Sequence, residues 1–107
     1  MSDDYQIQIP PSFIALYSDR RHRLTISLPA LRQRYDLCED LANHLVDFAK
    51  DVHHGLGVSE DEVLARCRKG LLEPPAQVEP VEAHWIERRL AELLNWPWLA
   101  LPDEPKA

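Results

Sequence analysis

Between residues 31 and 56 the apolar side chains fall at alternating steps of four and three: Leu31, Tyr35, Cys38, Ala42, Leu45, Ala49, Val52 and Leu56. That spacing lines one side of a helix, because residues three and four apart lie above one another on a helical surface. Leu41 and Phe48 widen the stripe, while Asp36, Glu39, Asp40, Asp47, Lys50 and Asp51 fall largely outside it. A helix with one broad apolar face and one acidic face has to bury the apolar one, against the rest of the chain or a partner. This single element therefore predicts an all-α fold in which every other segment either covers the long helix or connects the segments that do.

The remaining segments supply such covers. Pro10 and Pro11 precede Phe13, Ile14, Leu16 and Tyr17, which predicts a short helix near residues 11 to 18, since proline is favoured where the first helical amide has no partner anyway. Leu24, Ile26 and Leu28 alternate with Thr25 and Ser27 before Pro29, a period of two expected of an extended connector that lays three side chains on the core. A two-stranded pairing of this stretch with residues 5 to 9, where Ile7 and Ile9 alternate with Gln6 and Gln8, is an open alternative. The long helix is expected from near residue 30 to near 54, ended by Gly55 or Gly57. Ser59 and Glu62 have capping-box spacing, Val58 and Val63 are placed as a hydrophobic staple, and Gly70 reads as the stop of a second helix over residues 59 to 70. Its buried face is expected to carry Val63, Leu64, Cys67 and Leu71. A proline-rich linker over residues 73 to 80 leads into a third helix near 80 to 95, with Ala83, Ile86, Leu90, Leu93 and Leu94 on one side, flanked by Val81 and Trp85, and ending before Pro97. The expected architecture is a compact orthogonal three-helix bundle with an additional short N-terminal helix and extended terminal arms, a single domain over residues 1 to 107 with a helical core of about 11 to 96.

Charge and composition narrow the function classes. No apolar run approaches the roughly 18 to 20 residues that span a bilayer, and the start, Met1, Ser2, Asp3, Asp4, is unlike a secretory signal, so a cytoplasmic location is expected. Cys38 and Cys67 lie among apolar neighbours on predicted helices, where buried free thiols are expected. A net charge of -6 disfavours non-specific binding to nucleic acid. The charge is nonetheless segregated: residues 17 to 34 carry five arginines against Asp19, and residues 36 to 62 carry eight acids against Lys50. Arg20, Arg21, His22 and Arg23 form a basic run that can grip an acidic partner or pair with the acidic side of the long helix, since arginine makes paired donor contacts to carboxylates.

Motifs for catalysis are missing from the sequence. With glycines only at 55, 57 and 70, neither a phosphate loop nor a dinucleotide fingerprint can be formed, and there is no nucleophile elbow. Asp47, Asp51 and His54 share a helical face at steps of four and three, a spacing able to chelate a divalent ion but weaker than two histidines at a step of four, so solvated surface is the expectation. No cofactor and no metal site are expected. Leu56, Gly57, Val58 and Val63, with Val52, resemble the turn of a helix-turn-helix, but His53 stands where a small residue is usual and Arg66 where an apolar one is. Ser59, Glu60 and Asp61 would then face DNA, and carboxylates there repel phosphates. A nucleic-acid-binding regulator is the alternative reading. Trp96, Trp98 and Leu101 follow the last helix and can close the end of the bundle or serve as an aromatic anchor of the kind partner proteins bury.

Two phrases carry a family resemblance: Ile9, Pro10, Pro11, Ser12, Phe13, and the run Arg34, Tyr35, Asp36, Leu37, Cys38, Glu39, Asp40, Leu41, Ala42. They resemble a small proteobacterial family whose members sometimes carry a label along the lines of ATPase with chaperone activity, over residues 9 to 96. The resemblance implies an association with chaperone machinery. Nucleotide hydrolysis of that type needs a phosphate loop and an acidic magnesium ligand after a strand, and the sequence has neither. The expectation is a non-enzymatic cytoplasmic interaction or adaptor module that binds an unidentified protein partner, with Arg20, Arg21, Arg23, Trp96, Trp98 and Leu101 as the candidate partner-binding residues.

Overall fold

The structure, a computed structural model, describes residues 9 to 97. Four α-helices follow in order: α1 (Pro11–Ile14), continued by a 3-10 turn (Ala15–Tyr17), α2 (Leu28–Leu56), α3 (Glu60–Leu71) and α4 (Pro80–Leu94). Among the described residues there is no strand, only an isolated antiparallel bridge between Ser18 and Leu24. Helices α2, α3 and α4 pack on one another as a bundle.

Each boundary has a local cause. Ser27 accepts the backbone N–H of Ala30 at 3.2 Å, so α2 starts two residues before the proline-based expectation, and Gly57 closes it with φ of 70°. A side chain at that φ is strained, which is why glycine ends the helix. Residues 24 to 27 form the expected non-helical connector, bridged at Leu24 and extended at Ser27, but this start takes Leu28 into the helix and corrects the expectation that all three apolar side chains lie on the core. Leu28 is the first helical residue and is 54% exposed, Leu24 is exposed as well, and Ile26 alone of the three packs against the core. A serine cap followed by proline outweighs a three-step alternation. Ser59 caps α3 by accepting from Glu62 N at 3.2 Å, while the Glu62 carboxylate pairs with Arg66 one turn on. Gly70 does not stop α3, which runs to Leu71; the linker then folds back, with Val78 N–H donating to Leu71 O at 3.0 Å and Val78 buried. α4 ends at Asn95 in the left-handed conformation, with Trp96 N–H reaching Ala91 O at 2.9 Å. That is the backbone pattern of a Schellman cap.

The core has two lobes joined by α2 and α4. One gathers Phe13, Leu31, Tyr35, Cys38, Leu71, Trp85 and Ile86 with the small residues Ala42 and Ala83. The other gathers Ala49, Val52, Val63, Leu64, Cys67 and Leu90 with Ala91. Leu45 packs against both. Trp85, expected at the margin of α4, is buried and central, with its ring 5.0 Å from Phe13 and 5.9 Å from Tyr35 in edge-on arrangements. Two members of the expected α2 stripe face water instead: Phe48 is 50% exposed and Leu56 is 71% exposed. Phe48 lies 100° around the helix from its buried neighbour Ala49, beyond the arc that α3 and α4 cover, and Leu56 is the last residue before the turn.

Four residues of α-helix have no stability in isolation. What holds α1 is Phe13, fully buried against Tyr35 and Trp85, together with the Trp85 indole N–H donating to Ser12 Oγ at 2.9 Å. Replacing Phe13 with Ala removes a ring from the middle of the aromatic cluster and is expected to cost about 3 to 5 kcal/mol. Urea unfolding of the variant checks this, with the wild-type slope retained if only packing is lost.

Candidate functional site

The basic run Arg20 to Arg23 is a built hairpin turn. Asp19 organises it: its Oδ1 accepts the backbone N–H of Arg21 at 2.8 Å and of Arg23 at 3.0 Å. Its own N–H donates to Arg23 O at 2.8 Å, and its carbonyl accepts from His22 N at 2.9 Å. His22 takes φ of 64° at the tip. Below the turn, Thr25 donates to Tyr17 O through both its N–H, at 2.7 Å, and its hydroxyl, at 3.1 Å. Asp19 thus behaves as an aspartate at the start of a tight turn should. Arg20, Arg21 and Arg23 are all exposed. Arg23 lies 3.8 Å from Asp19 in an exposed pair, and among the described residues Arg20 and Arg21 have no carboxylate partner. The basic run does not pair with the acidic side of α2, whose Asp36, Asp40, Asp47 and Asp51 are exposed.

The hairpin is rooted through Tyr17, whose hydroxyl donates to Glu82 Oε2. Glu82, in the first turn of α4, is fully buried, and none of its bonding capacity is wasted. Arg34 of α2 reaches it with two donors, Nε to Oε2 at 2.8 Å and Nη2 to Oε1 at 2.6 Å, and Glu79 N–H adds a bond to Oε1 at 3.1 Å. Burial pushes the carboxyl towards its neutral form, but the donors from Arg34, Tyr17 and Glu79 outweigh it and hold Glu82 below the usual carboxylate range. Burial and the adjacent carboxylate push the Tyr17 hydroxyl up to about 12. Two further ion pairs tie α4 to its neighbours: Arg89 to Glu39 of α2 at 2.8 Å and Arg68 of α3 to Glu87 at 3.1 Å. The sequence reading missed Glu82 and Glu87 as buried groups. A carboxylate three residues after the cap position and two after Pro80 was the available signal for Glu82, but its burial depends on Arg34 and Tyr17, which are distant in sequence.

The other candidates separate. Trp96 is half-buried, packs on the second core lobe and sets its ring 5.0 Å from that of His53, so it closes the end of the bundle. Trp98 and Leu101 lie outside the described residues. At the helix-turn-helix-like corner, His53 Nδ1 donates to Val58 O at 2.7 Å, which explains an imidazole where a small residue was expected: it bonds the turn and packs on Trp96. Glu60, Asp61 and Glu62 occupy the first turn of α3. Among the described residues no three or more of His, Cys, Asp and Glu are grouped to hold a metal ion, Asp47, Asp51 and His54 included. Cys38 and Cys67 are buried free thiols, pushed up by burial to about 12 and about 11 and so poor nucleophiles. A cleft of about 320 Å³ is lined by Pro10, Ser12, Tyr35, Trp85, Arg88, Arg89 and Glu92. Its Ser12 hydroxyl accepts from Trp85, and Arg89 is engaged by Glu39 and Glu92. No helix among the described residues is long and apolar enough to cross a membrane.

Comparisons with known family models, with curated proteins and with solved structures return no match for this chain. The surface geometry therefore carries the functional reading.

The titrations fix a pH signature. Because the folded chain holds Glu82 below its ordinary range, the stabilisation it brings is complete above about pH 5 and is lost as pH falls through the folded value. Tyr17, Cys38 and Cys67 are shifted upward, so their stabilisation is complete below about pH 9 and is lost as pH rises towards 12. Unfolding free energy measured in urea across pH is expected to fall on both limbs. Glu82→Gln is expected to cost about 3 kcal/mol at pH 7 and to flatten the acid limb.

Proposed function

We propose that this chain is a non-enzymatic protein-interaction module that docks an acidic surface or segment of a partner protein on the hairpin bearing Arg20, Arg21 and Arg23. One observation carries the reading: Arg20 and Arg21 stand exposed, without carboxylate partners among the described residues, on a turn whose backbone is already fixed by Asp19 and Tyr17. A cation held on an ordered turn loses less freedom on binding than one on a loose loop, and unpaired guanidinium groups are ready for two-donor contacts to carboxylates. In a chain of net charge -6 such a patch selects by local complementarity and not by overall attraction. Trp98 and Leu101 add apolar groups beyond the opposite end of α4. The resemblance of residues 9 to 13 and 34 to 42 to the chaperone-labelled family supports an accessory role beside chaperone machinery in the cytoplasm. No observation favours nucleic acid as the ligand of α3, whose first turn carries three carboxylates.

Charge reversal tests the reading without removing a bond of the turn, which is held by the Asp19 carboxylate and backbone groups and not by the Arg20 or Arg21 side chains. Tagged full-length chain and its Arg20→Glu, Arg21→Glu double variant are cross-linked in cells and the retained proteins identified. Retention of a defined acidic protein is expected to drop at least tenfold in the variant and to weaken as salt is raised. Equal retention by the two forms, or retention of nucleic acid in place of protein, contradicts it.

A further inference from the structure

Trp85, Arg88, Arg89 and Glu92 lie at steps of three and four along one side of α4. With Tyr35 of α2 and with Pro10 and Ser12 at the start of α1, they line the cleft of about 320 Å³. Two polar groups of this cleft are not used by the fold. Arg88 is exposed and has no carboxylate partner among the described residues, because Glu92, one turn on, is held by Arg89 at 3.2 Å. Tyr35 is 8% exposed, and its hydroxyl makes no hydrogen bond among the described residues. Every side-chain polar atom there that is shut off from solvent has a partner, so the Tyr35 oxygen keeps an opening to solvent, and the cleft is the opening that Tyr35 lines. Burial, and after it the Glu39 carboxylate, hold that hydroxyl above its ordinary value, which keeps it a proton donor. Folding has already stripped most of the water from this residue, so an acceptor entering the cleft gains a hydrogen bond at little further desolvation cost.

We propose that this cleft binds a small acid, its carboxylate received by Arg88 and the Tyr35 hydroxyl and its flat ring packed against Trp85 and Pro10. Charge selects the acid. Arg89 is already bonded to both Glu39 and Glu92, which leaves Arg88 as the lining charge without a counterion. A monoanion therefore neutralises the cleft, a dianion exceeds it and a cation is repelled. The walls select the ring. Trp85 meets Tyr35 edge-on at 5.9 Å and its N–H is taken up by Ser12 at 2.9 Å, so what these side chains have left to offer a ligand is apolar surface and the tyrosine oxygen. Volume sets the upper bound, since about 320 Å³ is at the low end for ligand sites and suits one ring with its acid group. None of these residues belongs to the arginine hairpin, so the inference stands or falls independently of what that hairpin binds.

Phenylacetate serves as the probe, titrated at pH 7 into the full-length chain labelled with 5-fluorotryptophan, with the Trp85 resonance assigned by elimination through Trp96→Phe and Trp98→Phe. A saturable shift of Trp85 is expected, with a Kd on the order of 1 mM. Phenylacetamide keeps the ring and loses the charge, and is expected to bind at least tenfold more weakly, as is phenylacetate to Arg88→Gln. Tyr35→Phe removes the oxygen and keeps the ring, and is expected to weaken binding about threefold to tenfold. Lys69→Gln makes the same change of net charge on α3 and is expected to leave affinity within about twofold. Urea unfolding of Arg88→Gln and Tyr35→Phe is expected at the wild-type midpoint, because neither group is bonded in the free chain, so lost binding is not lost folding. A Trp85 shift that never saturates, equal binding of the amide, or unchanged affinity in both Arg88→Gln and Tyr35→Phe would each overturn the proposal.

Discussion

A carboxylate with no exposed surface sits where three parts of this chain meet, and each of the three supplies a donor that keeps it charged. Removing an ion from water costs several kcal/mol unless the protein returns equivalent bonds. Glu82 receives them from two arginine donors on α2, a tyrosine hydroxyl at the end of the 3-10 turn and the backbone at the start of α4. Each donor fixes the element that bears it. The phase of α2, the docking of residues 11 to 17 and the first turn of α4 are therefore coupled through one group, with the aromatic contacts of Phe13, Tyr35 and Trp85 filling the apolar space beside it. Such a group adds less to net stability than an apolar cluster of equal volume, but its directed bonds are hard to satisfy in any other register.

This coupling accounts for what was legible in the sequence and what was not. Local rules placed the elements: the four-three spacing from Leu31 to Val52, Ser59 as a cap, Pro80 as a helix start and Gly57 as a helix end are visible within a few residues of chain. The margins of the faces were not legible. Phe48 and Leu56 obey the same periodicity as Ala49 and Val52 yet face water, because which arc of α2 is covered depends on where α3 and α4 cross it. Glu82 and Glu87 have the composition of helix surface and are buried, since the arginines that neutralise them arrive from other helices. Leu28 failed as a core residue for the opposite reason, a local cap signal stronger than a short alternation, and Leu24 is exposed where it bridges to Ser18 in the hairpin.

The basic run is the clearest case of a candidate site whose residues, but not whose shape, could be read in advance. Four ionisable groups in a row look like a solvated loop. The structure shows an aspartate-organised turn hung from Tyr17, so the same carboxylate that anchors the fold also sets the position of the arginines at the surface. The other end of α4 is closed differently, by a left-handed cap, Trp96 and the His53 bond to the turn. The hairpin end is charged and exposed, Leu56 stands exposed at the C-terminal end of α2, and the thiols are buried in their protonated form.

The most direct measurement of the central claim is a double-mutant cycle between Tyr17→Phe and Arg34→Met, read by urea unfolding at pH 7. These two residues belong to different elements and meet through Glu82. If that carboxylate couples them, the two losses should depart from additivity by more than about 1 kcal/mol. Losses that add to within about 0.5 kcal/mol would contradict it, and would mean that packing alone holds residues 11 to 17 against the bundle.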